Sequence, residues 1–561
     1  MSRTLFWYIF RDLVRIFFLA SGVLSAIMSF GGLLRPLYEI GLDLSQVGKI
    51  LGWSGPAMTA YSLPIAALFA TTIVYGRLSS DNEVTACRAA GLSHLAMSSP
   101  AFVLGILTAV ASVGLLCFIV PYSMLKVEKI IYSNLAELAV GQIERTHLVH
   151  FDQGDQARTI FARSARVLPP DPANPLDQAL QIDGAVYVTY EKQPKNQPKT
   201  QIPEDYFTAS QAVINIHQAN DGDDVSFMMD LKGGMKFSRP GAAVPRQNAQ
   251  FSIQEQIVGP VPMNSPVEEK TQFMNIFRLR ELLDHPESAR KVAKELHDIS
   301  RSDQVHDYLQ SLAEQLNGPN HRVKLENASE SYDLLPASAA AEIRGDRLTL
   351  VGKAGDPVRL VQTRGKQGLM TAEAQEIGIK AFPDTANKQI GLQIEMLGPV
   401  ITVNGSTTPR ENFSRPLTVP MPPAIAALND RPVRSYLNNS GDSEVWRNLL
   451  HALRKINNGV ISELHSRMSF ATSCFILVMV GCALGMMFRS GNFLSAFAVS
   501  VIPALLTIAL IVAGQQTATN VPWTTELVYH DPLPLGILLV WIGNGVNFLV
   551  AFVLLWRLNR Q

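Results

Sequence analysis

The most informative features of this 561-residue sequence are its absences, and the first is charge in six long stretches. Residues 16–34, 50–76, 96–125, 468–488, 493–514 and 532–556 contain no Asp, Glu, Lys or Arg. Each approaches or exceeds the ~20 residues that carry a helix across a bilayer. Buried helices of soluble proteins seldom run this long without a charge, which argues against a soluble reading. Cysteine is scarce as well. Cys87, Cys117, Cys474 and Cys482 all fall in or beside the apolar ends of the chain, and the long middle has none. That middle must fold without disulfides, even in an oxidising compartment. Net charge is absent too, with 48 basic and 48 acidic residues, so nothing suggests a nucleic-acid partner.

Catalytic signatures are missing in the same way. Gly48-Lys49, Gly352-Lys353 and Gly365-Lys366 lack the glycine spacing and the following Ser/Thr of a phosphate-binding loop. No G-x-S-x-G elbow and no H-E-x-x-H pattern occurs. His147 and His150 stand without a cysteine or carboxylate pattern around them and read as surface residues. The chain is expected to be non-catalytic and to need no cofactor or metal.

What is present reads as a membrane α-helical protein with six transmembrane helices, three plus three, around a large inserted β-rich region. Residues 1–125 form the first transmembrane half, and residues 443–561 form a linker helix with the second half. Between them, residues 126–294 read as a β-rich region whose helical spacer begins near residue 274, and residues 295–442 as a second β-rich region. Pro56 and Pro64 in the second span and Pro503 in the fifth predict kinks or late helix starts. Short β-branched runs predict strands at 159–167, 185–190, 212–217, 225–229, 346–351, 358–363 and 391–403. A helix from about 443 is expected to run straight into the fourth span.

Basic residues set the orientation. Arg3, Arg11 and Arg15 precede the first span, Arg77 and Arg88 follow the second, Arg489 follows the fourth, and Arg557 and Arg560 follow the sixth. The loop 515–531 carries only Glu526 and Asp531. By the positive-inside rule both termini are cytoplasmic and residues of about 126–463 lie outside. No A-x-A-like cleavage site follows the first span, so it is read as a retained span and not as a signal peptide.

The loop after the second span reads Gly-Arg-Leu-Ser-Ser-Asp-Asn-Glu-Val-Thr-Ala-Cys-Arg-Ala-Ala-Gly-Leu-Ser over 76–93. Ser80-Asp81-Asn82-Glu83 has the form of a capping box, and Gly91 suits a left-handed helix end. A helix of about ten residues, 81–90, is therefore predicted. This loop, with Ser62-Leu63-Pro64 upstream and Glu463-Leu464-His465-Ser466-Arg467-Met468 at the start of the fourth span, resembles the LptF/LptG (YjgP/YjgQ) permeases. The external region is much longer than the single β-jellyroll usual in that family.

The resemblance implies a permease subunit of an ABC transporter in the bacterial inner membrane, extracting lipopolysaccharide or a related glycolipid toward the outer membrane. It implies as partners a cytoplasmic ABC ATPase dimer, a second permease chain of this type and a periplasmic bridge protein. Glu83, with Asp81 and Arg88, would then form the ATPase-coupling helix; Glu83 as a simple helix cap is the alternative. Arg35, at the outer end of the first span, would contact a lipid phosphate; a snorkelling interfacial arginine is the alternative. Glu463, His465 and Arg467 read as a junction at the entry to the fourth span, where an exposed i,i+4 pair contributes a few tenths of a kcal/mol. Two other classes stay open: a force-relaying ABC partner that moves no lipid, and a membrane-anchored binding or sensor protein independent of ATP.

Overall fold

The computed structural model describes residues 3–40, 44–132, 134–153, 156–169, 178–190, 203–218, 225–238, 249–263, 270–318, 322–326, 331–335, 340–344, 347–352, 356–364, 367–384, 389–403, 406–409, 412–430, 444–487, 493–522 and 531–560. Arg489 and Glu526 lie outside these residues, as do the side chains of 32–40, Arg35 among them. The chain divides into two compact units, residues 1–283 with 458–520 and 528–561, and residues 284–457 with 521–527.

The first unit holds the membrane helices. They are α1 (Arg3–Ile40), α2 (Leu44–Ser80), the short α3 (Glu83–Ala89) and α4 (His94–Met97), and α5 (Ser99–Gly114). A π-helical turn, Leu115–Ile119, joins α5 to α6 (Val120–Tyr132), and the three together make one span. Among the described residues, six segments are long and apolar enough to cross a bilayer. The helix runs unbroken through Pro56 and Pro64, so the expected late start does not occur.

Around α2 the packing is close because its own surface carries small residues. Ala66, Ala67 and Ala70 are fully buried, together with Leu13 of α1. The outer faces keep the opposite character: Phe18, Leu19 and Phe30 on α1 and Val110 on α5 are each more than 60% exposed. Large apolar side chains turned outward on charge-free stretches of helix suit hydrocarbon and not water.

After α7 (Leu135–Thr146) come seven strands: β1 (Leu148–Gln153), β2 (Gln156–Phe161), β3 (Ser164–Leu168), β4 (Gln178–Tyr190), β5 (Pro203–Gln218), β6 (Val225–Ser238) and β7 (Ala249–Met263). They form one antiparallel sheet in the order β1-β2-β4-β5-β6-β7, with β3 also on β4. Its edges β1 and β7 approach each other, so the sheet is curled.

The curl has a local cause. Pairing skips one residue on every long strand along a single transverse line. Asp183 pairs with Gln211 and Ala185 with Ala209, passing over Gly184 and Ser210. Likewise Gln211 pairs with Lys232 and Ala209 with Gly234, passing over Gly233. The skipped residues are matched on neighbouring strands, so the register continues across the line while each strand creases and its facing residues flip. The inward set on β4 accordingly changes from Leu180 and Ile182 to Ala185 and Tyr187, and on β5 from Phe207 and Ala209 to Ala212, Ile214 and Ile216. Gly184 and Gly233 take φ of 65° and 62°, which suits glycine. Here too the single strand expected over 159–167 divides: β2 and β3 pair with opposite ends of β4, on either side of Gly184.

The connector after the sheet contains a 3₁₀ turn, Thr271–Phe273, and α8 (Ile276–Asp284). The second unit begins there with α9 (Arg290–Asn317), followed by β8 (Val323–Glu326), β9 (Ser331–Leu335), β10 (Ala340–Arg344), β11 (Arg347–Val351), β12 (Val358–Arg364), β13 (Gln367–Ala374), β14 (Glu376–Asp384), β15 (Gln389–Leu397), β16 (Val400–Val403), β17 (Ser406–Pro409), β18 (Asn412–Pro420) and α10 (Pro423–Ala426). A five-stranded sheet, β10-β11-β14-β15-β18, and a six-stranded one, β17-β16-β13-β12-β9-β8, share one core with α9. The strand expected over 391–403 is two: Gly398, at φ 58°, ends β15, and β16 joins the other sheet.

The helix expected from 443 is α11 (Glu444–Met487), 44 residues long and continuous into the fourth span. The last spans are α12 (Phe493–Thr519) and α13 (Leu533–Arg560). A β-carbon at Gly234 would strike the Thr208 carbonyl across the fold line. Gly234→Val should therefore lower stability by at least the ~1–3 kcal/mol typical of overpacking, read as a fall in Tm of the purified full-length chain. An unchanged Tm would show that the fold line tolerates a side chain.

Candidate functional site

Two groups of residues stand out in the first unit, one at each end of the membrane helices. The first is the loop after α2. The capping box expected there does not form. Ser80 is the last residue of α2, and its hydroxyl donates back to the Arg77 carbonyl at 2.9 Å. Asn82, at φ 57°, holds the cap position without a side-chain bond, so Glu83 is the first residue of α3 and not its third. α2 extends that far because its end is tied down: Ser79 Oγ donates to the Met486 carbonyl of α11 at 3.1 Å, and Arg77 pairs with Asp12 of α1.

The other end of α3 forms as expected. Gly91 sits at φ 85°, its amide donates to Arg88 and the Leu92 amide donates to Cys87. These are the two bonds of a Schellman motif. The result is a helix of seven residues, shorter than the ten expected.

α3 is fastened by one buried residue, Val84, and leaves its acids accessible. Asp81 is exposed, and Glu83 and Arg88 are half-buried. Glu83, Val84 and Cys87 line an apolar recess with Leu5 and Ile9 of α1, Tyr75 and Leu78 of α2 and Met97 of α4. Tyr75 fixes that recess by donating to the Met97 carbonyl at 2.9 Å. Glu83 also lies within electrostatic range of Arg77. The arrangement is a short helix with charged residues outward and apolar backing.

The second group lies on α11. Arg467 and Glu463 are 2% and 7% exposed and bond at 2.7 Å, Nε to Oε1. The other carboxylate oxygen accepts from Gln515 Nε2 of α12 at 2.7 Å. Arg467 Nη2 donates to the carbonyls of Thr271, Gln272 and Met274 at 3.3, 3.3 and 2.7 Å. The pair therefore joins α11, α12 and the turn after the β-sheet. The energetics of an exposed i,i+4 pair do not apply here. Breaking a buried, hydrogen-bonded pair costs several kcal/mol, because it strands a charge. His465 belongs to neither contact: its Nδ1 accepts from Trp541 Nε1 of α13 at 3.1 Å.

The sequence reading passed over the polar side chains that support this group. Asn458 Nδ2 donates to Asp531 and to the Ala518 carbonyl at 3.0 and 3.1 Å. Asn544 donates to Ser469, and Asn547 donates to Thr507 and the Pro503 carbonyl. Two amides three residues apart in an apolar run were the available signal, since polar groups at membrane depth need partners. The structure brings Glu463 together with Arg467; Glu83 and Arg88 lie on α3 and Asp81 just before it. Arg35 falls in the last turns of α1, its side chain outside the described residues.

Six apolar spans among the described residues, with side-chain hydrogen bonds between them, and a β-rich insert define a multi-pass membrane protein. The family model "Lipopolysaccharide export system permease LptF/LptG" matches residues 7–168 and 412–557, more than half of the chain. The chain belongs to that family, and so is an inner-membrane protein with a role in lipopolysaccharide export. The matched segments run from α1 through β3 and from β18 through α13, and leave β4 to β17 between them. No curated protein matches the chain.

The ion pair makes a direct prediction. Arg467→Met should destabilise the chain by about 3–5 kcal/mol, the usual cost of stranding one partner of a buried pair. Adding Glu463→Leu removes the stranded charge but leaves three carbonyls bare, so it should restore Tm only in part. Full restoration would mean that the Thr271–Met274 contacts contribute nothing.

Proposed function

We propose that this chain is one permease of a lipopolysaccharide-extracting ABC transporter, working with a cytoplasmic ATPase dimer and a second permease chain. The observation that carries this reading is α3, a braced helix between two spans of a chain that belongs to the permease family. Glu83 would engage the ATPase, with Asp81 and Arg88 beside it, and closure of the ATPase pair would push α3 and α2. The three spans of each half would flank a lateral opening shared with the second permease between first and fifth spans. A glycolipid would enter from the outer leaflet, its phosphates met by Arg35 at the end of α1.

The curled sheet would then receive the acyl chains. Its inward face carries Leu180, Ile182, Phe207, Ile214, Phe227 and Met229, and each Å² of apolar surface taken from water is worth about 25 cal/mol. From there the lipid would pass to a periplasmic bridge protein. In this reading both termini are cytoplasmic and residues of about 126–463 periplasmic, in keeping with the basic loops. Glu463, His465 and Arg467 act as a structural junction, and ATP is hydrolysed by the partner.

Purification of the tagged chain in mild detergent should recover an ABC-type ATPase and a second six-span permease. Glu83→Lys should leave the chain folded and cut glycolipid release about tenfold or more, since losing one charge-assisted contact costs roughly 1.5–3 kcal/mol. Release unaffected by Glu83→Lys would remove the coupling role. A photo-crosslinker at position 35 should capture the glycolipid. Capture of no lipid at 35, with the ATPase still bound, would favour a force-relaying partner that carries no cargo.

A further inference from the structure

The short helix α8, between the curled sheet and the second unit, buries one side and leaves an unusual face uncovered. Leu279 and Leu282 are 0% and 2% exposed. Phe277, by contrast, is 73% exposed, with Ile276 and Leu283 at 37% and 38%. Ile276 and Leu283 lie seven residues apart on one helical face, with Phe277 beside it and the exposed Arg280 within it. A phenylalanine this bare on a nine-residue helix is a poor choice against water.

Its neighbour shows what the surroundings are. The Phe277 ring lies 6.3 Å from that of Phe118, on the π-helical turn of the third span. Phe118 is itself 52% exposed, and Ile119, Tyr122 and Leu125 continue that outward face. The distance along the span fixes the level. From Ser99 to Phe118 a helix rises roughly 30 Å, the thickness of the hydrocarbon core. Beyond Phe118, Tyr122 rests against Trp53 at 6.1 Å, and the Lys126 ammonium sits 5.4 Å over the Tyr122 ring. Trp, Tyr and Lys at one level are the marks of a membrane–water boundary.

We infer that α8 is an interfacial helix, with Ile276, Phe277 and Leu283 seated among the acyl chains of outer-leaflet phospholipid and Arg280 at the headgroups. The occupant is the bilayer itself, because the uncovered face is continuous with the lipid-facing side of the span it touches. A helix with an apolar face and a basic residue at its border is the form that lies in this plane. The anchoring is double: Met274, two residues before α8, is held by Arg467, and the helix that follows is held by lipid. Together they pin the end of the connector at the bilayer surface.

The test uses the full-length chain in native membranes, with p-benzoyl-phenylalanine placed singly at 277, 118 or 382. Phe382, 45% exposed on β14 of the second unit, reports a water-facing phenylalanine. After irradiation, mass spectrometry should find phospholipid adducts at 277 and 118 and none at 382. Phospholipid adducts at 118 but none at 277 would overturn the inference. So would crosslinks from 277 to protein alone, which would make this face a protein interface. Adducts to the exported glycolipid alone would overturn it too, by placing Phe277 on the cargo route.

Discussion

The structure depends on one buried charge and the arrangements that make it tolerable. Arg467 is 2% exposed inside a bundle whose helices otherwise carry almost no charge at that depth. An isolated guanidinium there would be prohibitive, since an unpaired ion loses its hydration with nothing in return. Glu463 neutralises it, Gln515 occupies the second carboxylate oxygen, and three carbonyls accept from Nη2, which leaves Nη1 the one guanidinium nitrogen without a partner. Each partner comes from a different place in the chain. The need to satisfy one arginine thus fixes where α12 stands against α11 and where the polypeptide re-enters the membrane surface after the sheet.

This explains which features were legible beforehand. The six spans were legible because the signal is the absence of charge over a length set by the bilayer, and no tertiary contact can disguise it. Their ends were not, since α1 and α2 continue well beyond the charge-free runs through amphipathic turns. Gly91 was legible because a left-handed residue with two carbonyls to satisfy calls for glycine. The capping box was misread for a tertiary reason. Ser80 had the right spacing, but the Ser79 bond to Met486 and the Arg77 pair with Asp12 hold α2 helical past the cap position.

The site residues divide along the same line. Glu463 and Arg467 show a four-residue spacing in the sequence, and nothing local separates an exposed pair from a buried one. Burial, and the acceptors at Thr271, Gln272 and Met274, come from residues nearly two hundred positions away. The fold line of the curled sheet was hidden likewise. Nothing local marks Gly184 or Gly233, and only the shared register makes them one crease.

Under the proposed function, the packing of α2 against α11 decides what a push on α3 can do. A β-carbon at Gly485 would lie 2.9 Å from Tyr75 Cβ and 3.0 Å from the Thr72 carbonyl, so the two helices meet almost backbone to backbone. Helices that close leave no side-chain cushion to absorb a displacement. Ser79 adds a hydrogen bond to Met486 at the same end. Force delivered at Glu83 would therefore be borne by α2 and α11 together and not dissipated between them. Further outward on α11 lies Arg467, with its grip on the turn that follows the sheet. The bonds that make a buried arginine affordable are thus also the ones through which movement of the membrane helices would reach the β-rich region.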